Sequence, residues 1–236
     1  MHLFYAPGLT DEQSVRLNTE ESHHAIRVLR LTPGDEIILV NGGGGWYQSR
    51  ITDPNPKACT VEIIGVSHDI GKPAYHLHIA IAPTRQIDRY EWFLEKATEI
   101  GINEITPIIC EHSERKDVKT DRQMRIVVAA MKQSLKAHHP VIHEPATFKN
   151  FMKDSISGIK AIAHCQAGNK QWLNEIAFPN KPVTILIGPE GDFSDTEIAS
   201  AKANGYLPIT LGTSRLRTET AGVVACQTIS WIFRES

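Results

Sequence analysis

Five short apolar runs after residue 72 constrain the fold of this chain more than any other feature. They are LHIAIA at 77–82, ITPIIC at 105–110, IKAIAH at 159–164, VTILI at 183–187 and LPITL at 207–211. Runs of this length fit strands that are buried on both faces, and the helical patterns between them fit the crossovers of a parallel sheet. The sequence therefore predicts an α/β domain with a largely parallel sheet over residues 73–236.

Residues 1–72 have a different pattern, with closely spaced β-rich runs and turns rich in glycine and proline. EIILVN at 36–41 and YQSRI at 47–51 flank the glycines at 42–45, and no Lys-Ser/Thr follows these glycines as it would in a phosphate-binding loop. We interpret the glycines as a hairpin turn and residues 1–72 as a small β-barrel domain.

Composition excludes several classes of protein. The 236 residues are 41% hydrophobic and 22% charged, which is typical of a globular protein. No apolar run has the length of a membrane span and the N-terminus lacks a signal-peptide pattern, so we expect a cytoplasmic protein.

Cysteine and histidine spacing does not indicate a metal site or a disulfide framework. The cysteines are far apart, without a C-x-x-C pair, and Cys165 is interpreted as a core thiol rather than a pocket contact. His76 and His78 share one face of a strand, but no third ligand is evident in the sequence, so no metal is expected.

Two loops that follow predicted strands combine glycine with charge. They are IGPEGDFSDTE at 187–197 and LGTSRLRTETA at 211–221. Ser194 and Glu197 predict a capping box, so a helix begins directly after the first loop. Alone, that loop is best explained as a strand-to-helix turn whose acids compensate the helix dipole. Two such loops at neighbouring strand ends favour a ligand site, but neither has the pattern of a nucleoside triphosphate loop.

A basic segment spans residues 115–136 in a chain whose net charge is −2. Helical spacing places Arg125, Lys132 and Lys136 in a row on one helix. The row either lines a groove for an anionic partner or is a solvated face, and the sequence leaves both interpretations open.

Together these motifs resemble the RsmE family of 16S (small-subunit) ribosomal RNA uracil-N3 methyltransferases, in the SPOUT class. The two loops carry the resemblance together with EKATEIGINEITPI at 95–108 and AMKQSLK at 130–136. HHAIRVLRLTPGDEIILVNGGG at 23–44 is similar to the PUA-like RNA-binding barrel of that family. The resemblance covers nearly the whole chain. It implies a homodimer, a deep trefoil knot in the SPOUT domain at 73–236, a PUA-like domain at 1–72, and S-adenosylmethionine (SAM) as the cofactor.

The resemblance also assigns site residues. SAM has no phosphate and carries a sulfonium cation, so acids in the loops do not repel it. Arg217 is implied to stabilise negative charge on the uracil, and Glu190 and Glu219 are candidate proton acceptors. The cofactor-binding residues are Ile187, Gly188, Pro189, Glu190, Gly191, Leu211, Gly212, Leu216, Arg217, Thr220 and Ala221. The RNA-binding candidates are Arg89, Lys96, Arg115, Lys116, Arg125, Lys132 and Lys136.

Two positions depart from the family pattern. His112 replaces an expected arginine, so we expect Arg115 or Lys116 to make the RNA contact there. Asp192 replaces a usual third glycine, which suggests that this position has an ordinary backbone conformation. Two alternative functions remain: methylation of another RNA atom, such as a ribose 2′-oxygen, and noncatalytic RNA binding in ribosome assembly.

Overall fold

The computed structural model describes residues 1–10, 12–176 and 181–233. The chain forms two compact units, one of Met1–Lys72 with Val128–His139 and one of Pro73–Val127 with Pro140–Ser236. None of the helices in the described ranges combines the length and the hydropathy that a membrane span requires.

A five-stranded sheet forms the first unit, in the order β1-β3-β4-β5-β2. The predicted hairpin at the glycines is confirmed, because β3 ends before them at Val40, β4 begins at the last of them, Gly45, and the two strands pair antiparallel. The strands are β1 Leu3–Tyr5, β2 Ser14–Arg16, β3 Glu36–Val40, β4 Gly45–Asp53 and β5 Thr60–His68, and the helix α1, Thr19–His23, continues into a π-helical turn at His24–Val28.

The segment 128–139 differs from the sequence interpretation, which placed it in the second domain. Met131 and Ala137 are buried in one apolar cluster with Leu3, Val40 and Trp46. This packing groups the segment with the first unit.

A parallel sheet forms the centre of the second unit, in the order β11-β13-β10-β12-β6-β7-β8, with β9 paired to β7. All the predicted apolar runs are strands of this sheet, and the predicted α/β architecture is therefore confirmed. The strands are β6 Leu77–Ile81, β7 Glu104–Ile109, β8 Val141–Ile142, β9 Ala146–Thr147, β10 Ile159–Ala163, β11 Gln171–Trp172, β12 Val183–Ile187 and β13 Leu207–Thr210.

Helices cover both faces of this sheet. Ile79 and Ile81 of β6 point to one face, where they join a cluster with α2 and α7, whereas Ala80 points to the other face towards α4 and α6. The helices are α2 Ile87–Ile100, α3 Thr120–Gln133, α4 Phe148–Phe151, α5 Leu173–Ile176, α6 Asp195–Ala203 and α7 Thr218–Ile232. The strands are apolar on both sides because each side is buried.

Candidate active site

A cavity of about 630 Å³ lies in the second unit at the carboxyl ends of β10, β12 and β13. The two glycine-containing loops form most of its wall. Its lining includes the predicted cofactor residues Ile187, Gly188, Pro189, Glu190, Leu211, Gly212, Leu216, Arg217 and Ala221. Gly191 and Thr220, also predicted, are not part of this lining.

One buried hydrogen bond connects the two loops. The Thr218 hydroxyl donates to the Gly188 carbonyl oxygen at 3.0 Å, and Thr218 also lines the cavity. Thr218 is the first residue of α7, and Arg217 before it is the extended N-cap residue. Thr218 was not among the predicted site residues, because a hydroxyl at the start of a helix is most often explained as a cap.

Asp192 corrects the expectation of an ordinary backbone conformation. Its φ is +64°, in the left-handed region where a glycine would be unstrained. Aspartate tolerates this region because its short side chain can form local hydrogen bonds. Here Oδ1 accepts from the Phe193 N–H at 2.9 Å, and Oδ2 accepts from the Cys165 N–H at 2.7 Å.

His112 supports the first loop from outside. Its Nδ1 lies 3.1 Å from the carbonyl oxygen of Gly191 and 3.0 Å from that of Asp192, so this nitrogen is placed to donate. A Cβ added at Gly191 would lie 3.0 Å from the His112 Cβ. The residue that replaces the expected arginine therefore packs against the loop and bonds to it.

His164 and Cys165 follow β10 and line the same cavity. Both ring nitrogens of His164 are buried and have no hydrogen-bond partner among the described residues. Burial lowers the pKa of His164, and the charge of Lys170 lowers it further. Cys165 is exposed, so its interpretation as a core thiol was wrong: the turn after β10 brings it to the cavity.

The candidate proton acceptors have different surroundings. Glu190 is exposed, and its Oε1 accepts from the Arg85 backbone N–H at 2.9 Å. Glu219 is buried, its Oε1 lies 4.0 Å from Arg89 Nε, and its Oε2 has no hydrogen-bond partner among the described residues. Only Glu219 of the two has a buried oxygen left unpaired within the described part of the chain.

A second cavity, of about 610 Å³, adjoins the first in the same unit. Arg215, Leu216 and Arg217 line both cavities. The remaining lining residues of the second cavity are Asp88, Arg89, Trp92, Glu219 and Thr220. The predicted residues Arg89, Arg217, Glu219 and Thr220 thus meet here.

The other RNA-binding candidates differ in their partners and in their exposure. Lys132 and Lys96 already have carboxylate partners: Lys132 Nζ lies 2.6 Å from Glu21 Oε1, and Lys96 Nζ lies 2.7 Å from Glu95 Oε1. Arg115 donates to the carbonyl oxygen of Arg85 at 3.1 Å. Lys116 and Arg125 are exposed, whereas Lys136 is half-buried.

Family models match both parts of the chain. The model of the RNA methyltransferase domain matches residues 71–230, and that of the RNA methyltransferase PUA domain matches residues 17–64. The Ribosomal RNA small subunit methyltransferase E of Synechocystis sp. is 31% identical over 97% of this chain and 76% of its own length. The chain belongs to the RsmE family of RNA methyltransferases.

Solved structures agree with this family assignment. A probable rRNA-methyltransferase from Porphyromonas gingivalis is 40% identical, with a TM-score of 0.93 and 99% of each chain covered. A Ribosomal RNA small subunit methyltransferase E from Neisseria gonorrhoeae, bound to S-adenosyl methionine, is 27% identical, with a TM-score of 0.90 and coverage of 99% of this chain and 98% of that one. The predicted fold class with an N-terminal PUA-like domain is confirmed, and the trefoil knot stays a prediction.

Proposed function

We propose that this RsmE-family chain transfers a methyl group from SAM to N3 of a uridine in 16S ribosomal RNA. The observation that carries the proposal is the pair of adjoining cavities, one lined by the two glycine-containing loops and one containing the unpaired Glu219 oxygen. The name of the Synechocystis relative supports the RNA substrate, and the bound ligand of the Neisseria structure supports SAM.

The first cavity fits SAM in size and in chemistry. Its volume of about 630 Å³ lies within the range of small-molecule sites. The unpaired ring nitrogens of His164 would hydrogen-bond to a polar group of a ligand, and Ile187, Leu211 and Leu216 supply apolar contact. Glu190 and Asp192 place two carboxylates in the lining, where they can face the sulfonium cation, although Lys170, Arg215 and Arg217 line the cavity as well. When bound, SAM supplies a methyl group activated by its sulfonium centre.

The second cavity fits a uridine that has been removed from its base stack. Trp92 is 42% exposed there and offers a face on which a base can stack. Arg89 and Arg215 are placed to bind backbone phosphate. Because both cavities share Arg217, a base in the second would lie beside the ligand of the first.

Glu219 is the proposed proton acceptor. Uracil N3 carries a proton at neutral pH, and this proton must leave before or while the N3–methyl bond forms. The unpaired Oε2 of Glu219 accepts that proton, and the Arg217 guanidinium stabilises the negative charge that develops on a uracil carbonyl oxygen. Glu190 instead holds its loop through the Arg85 N–H.

We extend the proposal to the rest of the chain. Residues 1–72 act as an RNA-binding domain and residues 73–236 as a knotted methyltransferase domain, with Lys116 and Arg125 as further phosphate contacts. The protein acts in the cytoplasm, on RNA of the small ribosomal subunit. It forms a homodimer, and the exposed Trp231 on α7 favours this, since large exposed aromatic side chains commonly lie in interfaces. Sedimentation on dilution, with activity measured in parallel, tests whether the dimer is required.

Mass spectrometry of nucleosides tests the substrate atom. We expect cells without the gene to lose N3-methyluridine from small-subunit RNA, and the purified protein to restore it with SAM. Retained N3-methyluridine together with a lost 2′-O-methyl nucleoside would contradict the proposed atom. Absence of SAM binding in a calorimetric titration would favour the noncatalytic alternative.

Two matched variants test the proton acceptor. Glu219→Gln keeps the shape of the side chain and is expected to lower kcat about 10²- to 10⁴-fold, with the Kd for SAM nearly unchanged. Glu190→Gln keeps an oxygen that accepts from the Arg85 N–H, so its kcat should stay within a few fold of the wild-type value. The reverse order of the two effects would assign the proton acceptor to Glu190.

A further inference from the structure

A cluster of histidine and glutamate side chains lies at the amino ends of β6 and β7, at the end of the sheet opposite the two cavities. His78 and Glu104 are paired residues of these parallel strands. His143 directly follows Ile142, which pairs with Ile105. Strand pairing thus brings together three side chains that are far apart in the sequence.

The distances in this cluster are those of potential metal ligands. One ligand atom from each of His78, Glu104 and His143 lies within 4.8 Å of the other two. His143 Nε2 is 2.6 Å from Glu104 Oε2, and His76 Nε2 is 3.0 Å from Oε1 of the same carboxylate. The Thr106 hydroxyl oxygen lies 2.8 Å from His78 Nε2.

The surroundings of the cluster favour a cation. A cavity of about 670 Å³ beside it is also lined by Glu144 and Asp154. No lysine or arginine is found among the described residues of this lining. Imidazole nitrogen and carboxylate oxygen together are a donor set that suits zinc and similar divalent ions.

We propose that His78, Glu104 and His143 bind one divalent transition-metal ion, with water in the remaining position. Zinc bonds of about 2.0 to 2.2 Å place tetrahedral ligand atoms about 3.3 to 3.6 Å apart. The 2.6 Å contact between His143 and Glu104 must therefore open slightly, and His78 must approach, which side-chain rotation allows. His76 keeps its contact with the other Glu104 oxygen and orients the carboxylate.

The position of the ion defines its role. It would connect β6, β7 and the segment after β8, away from the cavities assigned to SAM and uridine. The ion therefore stabilises the second unit and takes no part in methyl transfer. The inference is independent of the proposed function.

Zinc binding by the full-length protein tests the site. The protein is stripped with a chelator and titrated with zinc by calorimetry, and its thermal unfolding is followed with and without zinc. We expect one high-affinity ion per chain and, at a free zinc concentration about 100 times Kd, a rise in Tm of about 5 to 10 °C. Cobalt in place of zinc should give the visible absorption of a tetrahedral complex.

Three variants separate this site from adventitious binding. Glu104→Gln and His143→Gln should each weaken zinc binding at least tenfold, whereas His68→Gln removes an exposed histidine of the other unit and should leave binding unchanged. The His143 side chain is 40% exposed, so its substitution should not prevent folding even if that of Glu104 does. Equal zinc affinity in wild type and His143→Gln, or no binding in the wild type at 1:1 stoichiometry, would overturn the proposal.

Discussion

Replacement of Thr218 by valine should weaken SAM binding without removing any residue assigned to the chemistry. The Thr218 hydroxyl donates to the Gly188 carbonyl oxygen at 3.0 Å, and the residue is 5% exposed. Valine keeps the shape of the side chain but cannot donate. The carbonyl of the first loop then loses the donor that connects it to the start of α7.

The expected size of the effect follows from this burial. Loss of a buried hydrogen bond that leaves a carbonyl without its donor costs about 1 to 3 kcal/mol. A cost of about 1.4 kcal/mol for each tenfold in affinity gives a roughly 5- to 150-fold rise in Kd if the whole cost falls on the ligand-bound conformation. Any part of the cost that falls on folding appears instead as a lower Tm, by about 2 to 4 °C per kcal/mol.

Calorimetric titration with SAM, paired with thermal unfolding, measures both parts. Thr228→Val is the matched control, since the Thr228 hydroxyl donates at 2.8 Å to the Val224 carbonyl oxygen within α7 and Thr228 does not line the cavity. We expect the control to bind SAM as the wild type does. The reasoning fails if Thr218→Val matches this control in both Kd and Tm.

Three further predictions concern packing, charge and pH. Gly222→Ala places a Cβ 2.5 Å from a Phe93 ring carbon, so the free energy of unfolding should fall by about 1 to 3 kcal/mol in thermal unfolding, with partial recovery when Phe93→Leu is added. Lys132→Met leaves the buried Glu21 carboxylate without its cation, so the free energy of unfolding, measured in urea, should fall by about 3 to 5 kcal/mol. The affinity for RNA, measured by filter binding, should change little. In His164→Asn, Tm should fall less between pH 7 and pH 5 than it does in the wild type. Burial lowers the pKa of folded His164, so the unfolded chain takes up the proton first as the pH falls, and identical curves for variant and wild type would contradict this.

The sheet of the second unit was predictable because burial on both faces leaves a clear pattern. Val183–Ile187 of β12 is buried at every position, and an unbroken apolar run bounded by turn residues is the direct sequence trace of that environment. The capping box of Ser194 and Glu197 is equally local, and the structure confirms it. Patterns within a few residues thus identified the elements of this unit.

Contacts between distant residues were not predictable in the same way. Helical spacing predicted the helix face on which Lys132 lies but not its partner Glu21, so the lysine was assigned to RNA contact. His112 and the loop after β12 are joined only by the fold. His143 likewise reaches Glu104 only through the pairing of β7 with β8, which explains why two histidines on one strand had no third ligand in the sequence.

The acids of the first loop also acquire separate roles that composition could not distinguish. Glu190 accepts from the Arg85 N–H, and Asp192 accepts from the N–H groups of Cys165 and Phe193. The Arg85 and Cys165 N–H groups belong to other segments of the chain, so these hydrogen bonds tie the loop to its surroundings. These acids therefore fix the backbone around a cationic ligand. The buried Glu219 oxygen has no such donor among the described residues, so a proton delivered by a substrate N–H would supply the hydrogen bond that this oxygen lacks.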